Sequence, residues 1–422
     1  MSRRCRHQRR GMMYAVAVGA ALVVTVVGIS ALMAVRVERV SANATGTLDA
    51  ARFLAQSAVE SGVWKMNHES GWRSSQANGR WTTDQALGNG TYTLDGVDPI
   101  DADLADSKTE PVRLTGTGTL GDAVYIARAT AVAAPKPLDA LSRALTSNGN
   151  LSTLLTVTFL ASGAAIHVNG QLSNLAIISA NLEVGSISGL GTIIGTVINP
   201  APALEMPDPG VFAMYQGIAT TVTYPASDFD RKVLSAGYNP WGAPNPDGVY
   251  YIDTGSNDLT IRRSRIHGTL VVKCGSGRKL VIDDPVLWQP YRSDYPALIA
   301  DCDVEIRLDS LLGSLSEREL LFPGTNYNPT GAPYEVTPGQ WVTDSDTDDS
   351  YADEIQGLVH VKRNLKLSST TRIRGSVICE GAVTAGAAEI VYTPYWGSKT
   401  PMGYSTYTME ISPGSWERVV LP

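Results

Sequence analysis

Two groups of acidic residues have spacings that could serve chemistry on a strand. Asp301, Asp303 and Glu305 alternate through one short run, so in an extended chain they share a face, whereas the adjacent Asp283 and Asp284 point to opposite faces. Carboxylates held side by side on such a surface are what acid/base cleavage of a glycosidic bond requires. No histidine or aromatic platform stands at a supporting distance in sequence, and charged residues are ordinary on the solvent face of a strand. The expectation is therefore a protein that is not an enzyme, with a membrane-tethered polysaccharide-acting enzyme as the competing class.

The densest charge is at Asp344, Asp346, Asp348, Asp349, Asp353 and Glu354, with no base among them. Alternating aspartates resemble the start of a calcium loop, because a hard cation takes several carboxylate oxygens from one turn. The pattern then departs from an EF-hand, with Asp349 where glycine belongs and Ile355 where a bidentate glutamate belongs. Asp344, Asp346 and Asp348 are candidate metal ligands, and a solvated loop is the expected state. His7, His68, His167, His267 and His360 have no His or Cys partner at ligand spacing. Cys274, Cys302 and Cys379 read as small buried strand residues, although one disulfide is open to them in an oxidising compartment. No nucleophile elbow, phosphate loop, zinc-protease or dinucleotide fingerprint occurs, and no cofactor is expected.

The elements that would position these residues follow from composition. The chain has 422 residues, 43% hydrophobic, with abundant glycine (40) and little phenylalanine (5), enough for a sizeable core of short strands and turns. The net charge of −7 includes the basic cluster Arg3, Arg4, Arg6, Arg9 and Arg10, so the remainder is more acidic still. An acidic body does not suit a phosphate backbone, and no nucleic-acid partner is expected. Directly before an apolar segment, the arginines read as a cytoplasmic topology signal.

From Met12 to Val35 there are 24 residues without a charge. As a helix rising about 1.5 Å per residue they cover a hydrocarbon core of roughly 30 Å. Past this span Val37, Val40, Ala44, Leu48, Ala51, Ala55, Ala58, Gly62 and Met66 recur at spacings of three and four, one face of a helix continuing to about Met66.

Arg9-Arg10-Gly11-Met12-Met13, the apolar span, Arg36-Val37-Glu38-Arg39 and Ala50-Ala51-Arg52-Phe53-Leu54-Ala55-Gln56-Ser57-Ala58-Val59-Glu60-Ser61-Gly62 together resemble the N-terminal region of type IV pilin-like proteins, nearest the PilX N-terminal group of minor pilins and pseudopilins. The resemblance covers about the first 66 residues. It implies cleavage by a prepilin peptidase between Gly11 and Met12, and partner pilin or pseudopilin subunits packed along the helix. Major pilins of the family carry a glutamate five residues into the mature chain, where this sequence has Val16; that departure implies a minor or priming subunit.

Residues 67–135 alternate apolar and polar residues in Thr91–Leu94, Val112–Leu120 and Ala123–Ala127 and read as a small antiparallel connector, closed by the boundary Ala133-Ala134-Pro135-Lys136-Pro137. From Leu151 onward, runs of three to five apolar or β-branched residues end in Gly, Asn or Ser, as in Ala165–Gly170, Leu182–Gly185, Gly268–Val272 and Ile373–Ile378. Such strands cannot each bury a face alone, but stacked rungs bury one continuous core. The predicted class is α+β, mostly β: a basic leader (1–11), a transmembrane and stalk helix (12–66), a β connector (67–135) and a parallel β-solenoid, a right-handed β-helix, over 136–422. A β-sandwich is the alternative. Residues from about Leu311 to Asp353 would leave the stack. The functional expectation is a minor pilin-like subunit of a type IV pilus or type II secretion pseudopilus, single-pass in the inner membrane with its N-terminus cytoplasmic and its body exported; a plain anchored adhesion protein is the third reading.

Overall fold

The computed structural model describes residues 5–69, 71–153, 158–225, 229–308, 313–318, 324–328, 334–337, 340–342, 346–368, 371–394, 397 and 399–420. Arg3, Arg4 and Asp344 lie outside the described residues. The chain forms two compact units, one made of residues 1–135 with 407–422 and the other of residues 136–406.

In the first unit, helix α1 (Cys5–His68) is unbroken and takes in Arg6, Arg9, Arg10, Gly11 and Met12 on its opening turns. A single turn, α2 (Trp72–Ser75), leads to strands β1 (Gly79–Leu87), β2 (Gly90–Val97), β3 (Val112–Leu120) and β4 (Ala123–Pro137), which pair antiparallel in chain order. Two-residue turns close two of the hairpins. Gly88 and Gly121 have positive φ there, as the twist of a tight hairpin requires. The stripe read from the sequence is buried only in its second half. Ala51, Ala55 and Ala58 are fully buried against the sheet, while Val37, Val40 and Ala44 are exposed. Gly116 and Gly118 explain the close approach. A Cβ on either would run into the α1 backbone, at the Ala55 carbonyl for Gly116 and the Ala51 carbonyl for Gly118.

Residues 407–422 are a correction to the expected solenoid boundary. Strands Ser405–Ile411 and Glu417–Val419 both pair with β4, and Asn67 on α1 exchanges two hydrogen bonds with the Met409 backbone at 2.7 and 2.9 Å. The last residues of the chain therefore complete the first unit's sheet.

The second unit is a parallel β-solenoid. Its strands form three ladders. One runs through Val249–Asp253, Thr269–Lys273, Leu298–Asp301 and the second halves of Glu354–Val361 and Thr371–Cys379. This ladder is apolar on both sides, because its outward residues Val249, Tyr251, Val271, Ile299, Leu358 and Ile378 are covered by Val211, Phe212 and Tyr215 of helix α3 (Val211–Ile218) and by Tyr404. A sheet covered on both faces is why Val249–Ile252 and Thr269–Val272 read as continuous rather than alternating runs. The other two ladders alternate, with Leu280, Ile282, Val304 and Ile306 inside and Lys279, Asp283, Asp303 and Arg307 at the surface.

The rungs do not stack in chain order. Strands Leu145–Ser147, Leu151–Thr153 and Thr158–Ser162 pair with Thr371–Cys379, Val383–Ala385 and Ala388–Val391, the last rung of the later segment. From there the stack grows through Ile166, Leu182 and Val197, each in register with the one before. The chain then returns through residues 199–219, including α3, to start the opposite end at Thr220–Val222. The corner between the first and second ladders is a column of glycines. A Cβ on Gly149 would come 2.6 Å from the Gly381 carbonyl, and one on Gly170 would come 2.8 Å from the Gly149 carbonyl. The expected excursion is present: between Arg307 and Glu354 the described residues form two small antiparallel pairs, Ser314–Ser316 with Ser350–Ala352 and Tyr334–Thr337 with Gln340–Val342.

Candidate functional site

The first candidate is α1 itself. From Met12 to Val35 its large apolar residues stand 49% or more exposed, and this segment is long and apolar enough to cross a membrane. Past the span Phe53 and Trp64 remain exposed and, with Gln56, Ser57, Glu60, Ser61 and Trp416, line an open groove of about 790 Å³. Among the described residues, the helix thus has one face satisfied by its own sheet and an apolar remainder left exposed.

Of the acids singled out on the solenoid, Asp283, Asp301, Asp303 and Glu305 are engaged. Glu305, 8% exposed, accepts from Lys279 Nζ at 2.7 Å and from Lys366 Nζ at 2.9 Å, a bridge over three successive rungs. Those two ammonium groups pull its carboxyl down to about 2. Asp301 accepts from Arg363 Nε at 3.3 Å, and Asp303 takes the Asn364 backbone and side-chain N–H groups, both at 3.1 Å. Asp283 lies between Arg262 (3.2 Å) and Arg307 (3.1 Å). The three acids Asp301, Asp303 and Glu305 do not share one face: Asp301 ends a strand of the first ladder and Asp303 and Glu305 stand on the second, with the turn at Cys302 between them, and each carboxylate is held by separate partners.

In the excursion, Asp346 and Asp348 belong to a turn in which Asp348 N–H donates to Asp346 Oδ1 (3.1 Å) and Arg318 donates to Asp348 (3.1 Å). Asp349 accepts from Tyr351 Oη at 3.0 Å. Among the described residues these carboxylates do not converge on a common point. His167 and His360 are buried and pair with Glu183 and Glu380, each at 3.0 Å, while Cys274, Cys302 and Cys379 are buried free thiols.

Convergence occurs elsewhere, in the loop between β2 and β3. One oxygen each from Asp98, Asp101, Asp106 and Glu110 lies within 4.8 Å of all the others. The loop is wired in place by Arg73, which donates to the carbonyls of Leu104 (3.2 Å), Lys108 (3.4 Å) and Glu110 (2.7 Å). Sequence reading missed this group. Acids recur between Asp98 and Glu110, but Pro99, Ile100 and Leu104 dilute them, so the tighter run at 344–354 stands out instead.

A last surface lies at the end of the solenoid formed by residues 145–198. Between Leu145 and Leu204 the only formally charged residue is Glu183. The outward positions of the third ladder here include Thr158, Leu160, Ile177, Thr192 and Ile194, all exposed, and the half-buried Ser179, with Leu190, 98% exposed, at the turn beside them.

No protein-family model matches this sequence, and no curated protein does. Among solved structures, the competence-associated pilin ComZ from Thermus thermophilus is similar over 88% of this chain and 98% of its own, at 12% identity and a TM-score of 0.32. An ice binding protein from an Antarctic biological consortium is similar over 61% of this chain and 91% of its own (14% identity, TM-score 0.27). An ice-binding protein domain from Shewanella frigidimarina is similar over 62% and 98% (10% identity, TM-score 0.26). These likenesses are weak; the solenoid is defined by its own strand pairings.

Proposed function

We propose that this chain is a minor pilin-like subunit of a type IV pilus or a type II secretion pseudopilus, with its N-terminus cytoplasmic and its β-solenoid displayed outside the membrane. The observation that carries the reading is the division of α1. One helix is apolar and exposed through Met12–Val35, then sinks into its own sheet from Ala51 onward through glycines that admit its backbone. The exposed part suits first the bilayer and then the helices of neighbouring subunits, whose close packing its Gly19, Ala20, Ala21, Gly28 and Ala31 would permit. Five arginines before the span favour retention of the leader in the cytoplasm. Display without catalysis is supported by the partners that Asp283, Asp301, Asp303 and Glu305 already hold.

The test is intact-mass analysis of full-length protein extracted from membranes. Processing by a prepilin peptidase predicts a mature chain that begins at Met12, and Gly11→Val should leave the leader attached. A wild-type chain beginning at Met1 or Ser2 would overturn the pilin reading and leave a plain membrane anchor.

A second reading, an anchored adhesion protein, is favoured by the uncharged end of the solenoid. The rows Thr158–Ile177–Thr192 and Leu160–Ser179–Ile194, at the repeat of a β-ladder, about 4.8 Å, form a surface free of charge. Such a surface suits an ordered uncharged substrate, and binding of the purified protein to crystalline polysaccharide or ice would separate it from filament assembly.

A further inference from the structure

The carboxylates at 98–110 pose an electrostatic problem that the first unit does not solve with its own residues. Four acids hold oxygens within 4.8 Å of one another. Like charges at such distances repel one another unless protons or a cation intervene. Arg73 is the cation beside them, yet it spends its hydrogen bonds to this loop on the backbone carbonyls of Leu104, Lys108 and Glu110.

A second observation points to a ligand. Asp98 is 2% exposed; its Oδ1 accepts the Ile100 N–H at 2.7 Å, but its Oδ2 is buried with no hydrogen-bond partner. Glu110 Oε2 is likewise buried and unpartnered. Two unpartnered buried oxygens at one acidic cluster are costly, because a buried acceptor without a donor loses its hydration for nothing.

The separations are compatible with one shared cation. Oxygens on opposite sides of one calcium ion, each about 2.4 Å from it, stand about 4.8 Å apart, and no pair in the cluster exceeds that separation. The donors are all carboxylate oxygens, the hard set that favours calcium or magnesium over zinc or copper. An irregular loop with Asp98 at one end and Glu110 at the other suits the variable coordination of calcium better than the strict octahedron of magnesium.

We propose that the loop joining β2 to β3 binds a calcium ion through the carboxylates of Asp98, Asp101, Asp106 and Glu110. The ion ties the start of the loop to its end and so fixes the entry to β3, the strand whose Gly116 and Gly118 receive α1.

The experiment uses full-length protein in detergent, stripped with a chelator, then titrated calorimetrically with calcium chloride and followed by thermal unfolding. One saturable site per chain and a rise in melting temperature are expected. Asp101 and Asp106 are exposed, so Asp101→Asn with Asp106→Asn should fold. This double variant should lower calcium affinity at least about tenfold, as loss of ligands does. Without calcium it should melt no lower than the wild type, since repulsion has been relieved; a purely structural role for these acids predicts a lower melting point in both conditions. Replacing Asp346 and Asp348 by Asn should leave the titration unchanged. The proposal is overturned by no saturable binding up to about 10 mM, above the ~10⁻⁴–10⁻³ M range of extracellular calcium modules. Such a result would mean that shared protons relieve the cluster instead. Unchanged affinity in the double variant, or magnesium bound as tightly as calcium, would overturn it equally.

Discussion

Between Leu259 and Arg374 the outward surface of the solenoid carries cations and carboxylates joined from rung to rung, as in Lys279–Glu305–Lys366, Arg262–Asp283–Arg307 and Arg374–Glu354. Between Leu145 and Ile198 it carries serine, threonine, leucine and isoleucine, with Glu183 bound to Arg143 and His167. Both stretches share one core, from Ile282 and Ile306 through Ile373 to Phe159 and Ile178. Stacking therefore needs the inward apolar residues and the corner glycines, and it does not need charge ladders. The ladders are an addition that sets what one stretch presents to solvent, and their omission leaves the other stretch suited to contact with an uncharged surface.

The seam between the stretches offers the harshest test. Gly149→Val places a branched side chain where even a Cβ would sit 2.6 Å from the Gly381 carbonyl, and should cost several kcal/mol in urea unfolding. An unchanged midpoint would mean that the stretches do not meet at this corner. Next come matched cavities: Ile282→Ala and Ile178→Ala should each lose about 2–5 kcal/mol, because both fill the same core. A large loss in one and none in the other would break the claim of a shared core.

A smaller effect separates the surfaces. Glu305→Gln leaves Lys279 and Lys366 without their shared carboxylate and should cost about 1–2 kcal/mol at neutral pH, between an exposed ion pair and a buried one. Its pH dependence has a definite sign. With the folded carboxyl near 2 and the unfolded one about 4.3, the unfolded chain binds the proton first, so the contribution is complete above about pH 5 and fades as pH falls toward 2. Urea titrations across that window should show a shallower acid loss in the variant. The smallest change in stability is expected at the uncharged end, where Leu190→Ser with Ile194→Ser should shift unfolding by less than about 0.5 kcal/mol, both residues being exposed. The same pair should weaken retention on a phenyl matrix, and unchanged retention would show that the patch is not a contact surface.

Much of the architecture is legible in local pattern. The spacing of Ala51, Ala55 and Ala58 marks the face of α1 that is buried, and the alternation in Val112–Leu120 marks β3, although nothing in the sequence says that Gly116 and Gly118 are the places where the two meet. Short runs ending in glycine mark the rungs, and the departure from the stack after Arg307 is visible as a break in that rhythm. Reasoning by position along the chain fails at the C-terminus. Ser405–Ile411 follows the last rungs directly, and only its pairing with β4 assigns it to the first unit's sheet. The acid cluster at 98–110 is missed for a related reason, since a loop has no period from which convergence could be read.

Local sequence is enough to say which segments become helix and strand, which side chains face inward, and that an uncharged apolar segment long enough for a bilayer lies near the N-terminus, because these depend on neighbours within a few residues. The order of the rungs comes from the fold. Every rung offers the same two hydrogen-bonding edges, so local pattern cannot say that Leu145 follows Val377 in the stack while Thr220 begins the far end. The fold also sets the charge around each surface acid: Lys366 reaches Glu305 only because the chain leaves on a long excursion and the next rung then lies directly beside it. For the same reason four acids diluted through one loop become a cluster. Distance along the chain governs local conformation, whereas pairing across the fold governs which charges meet.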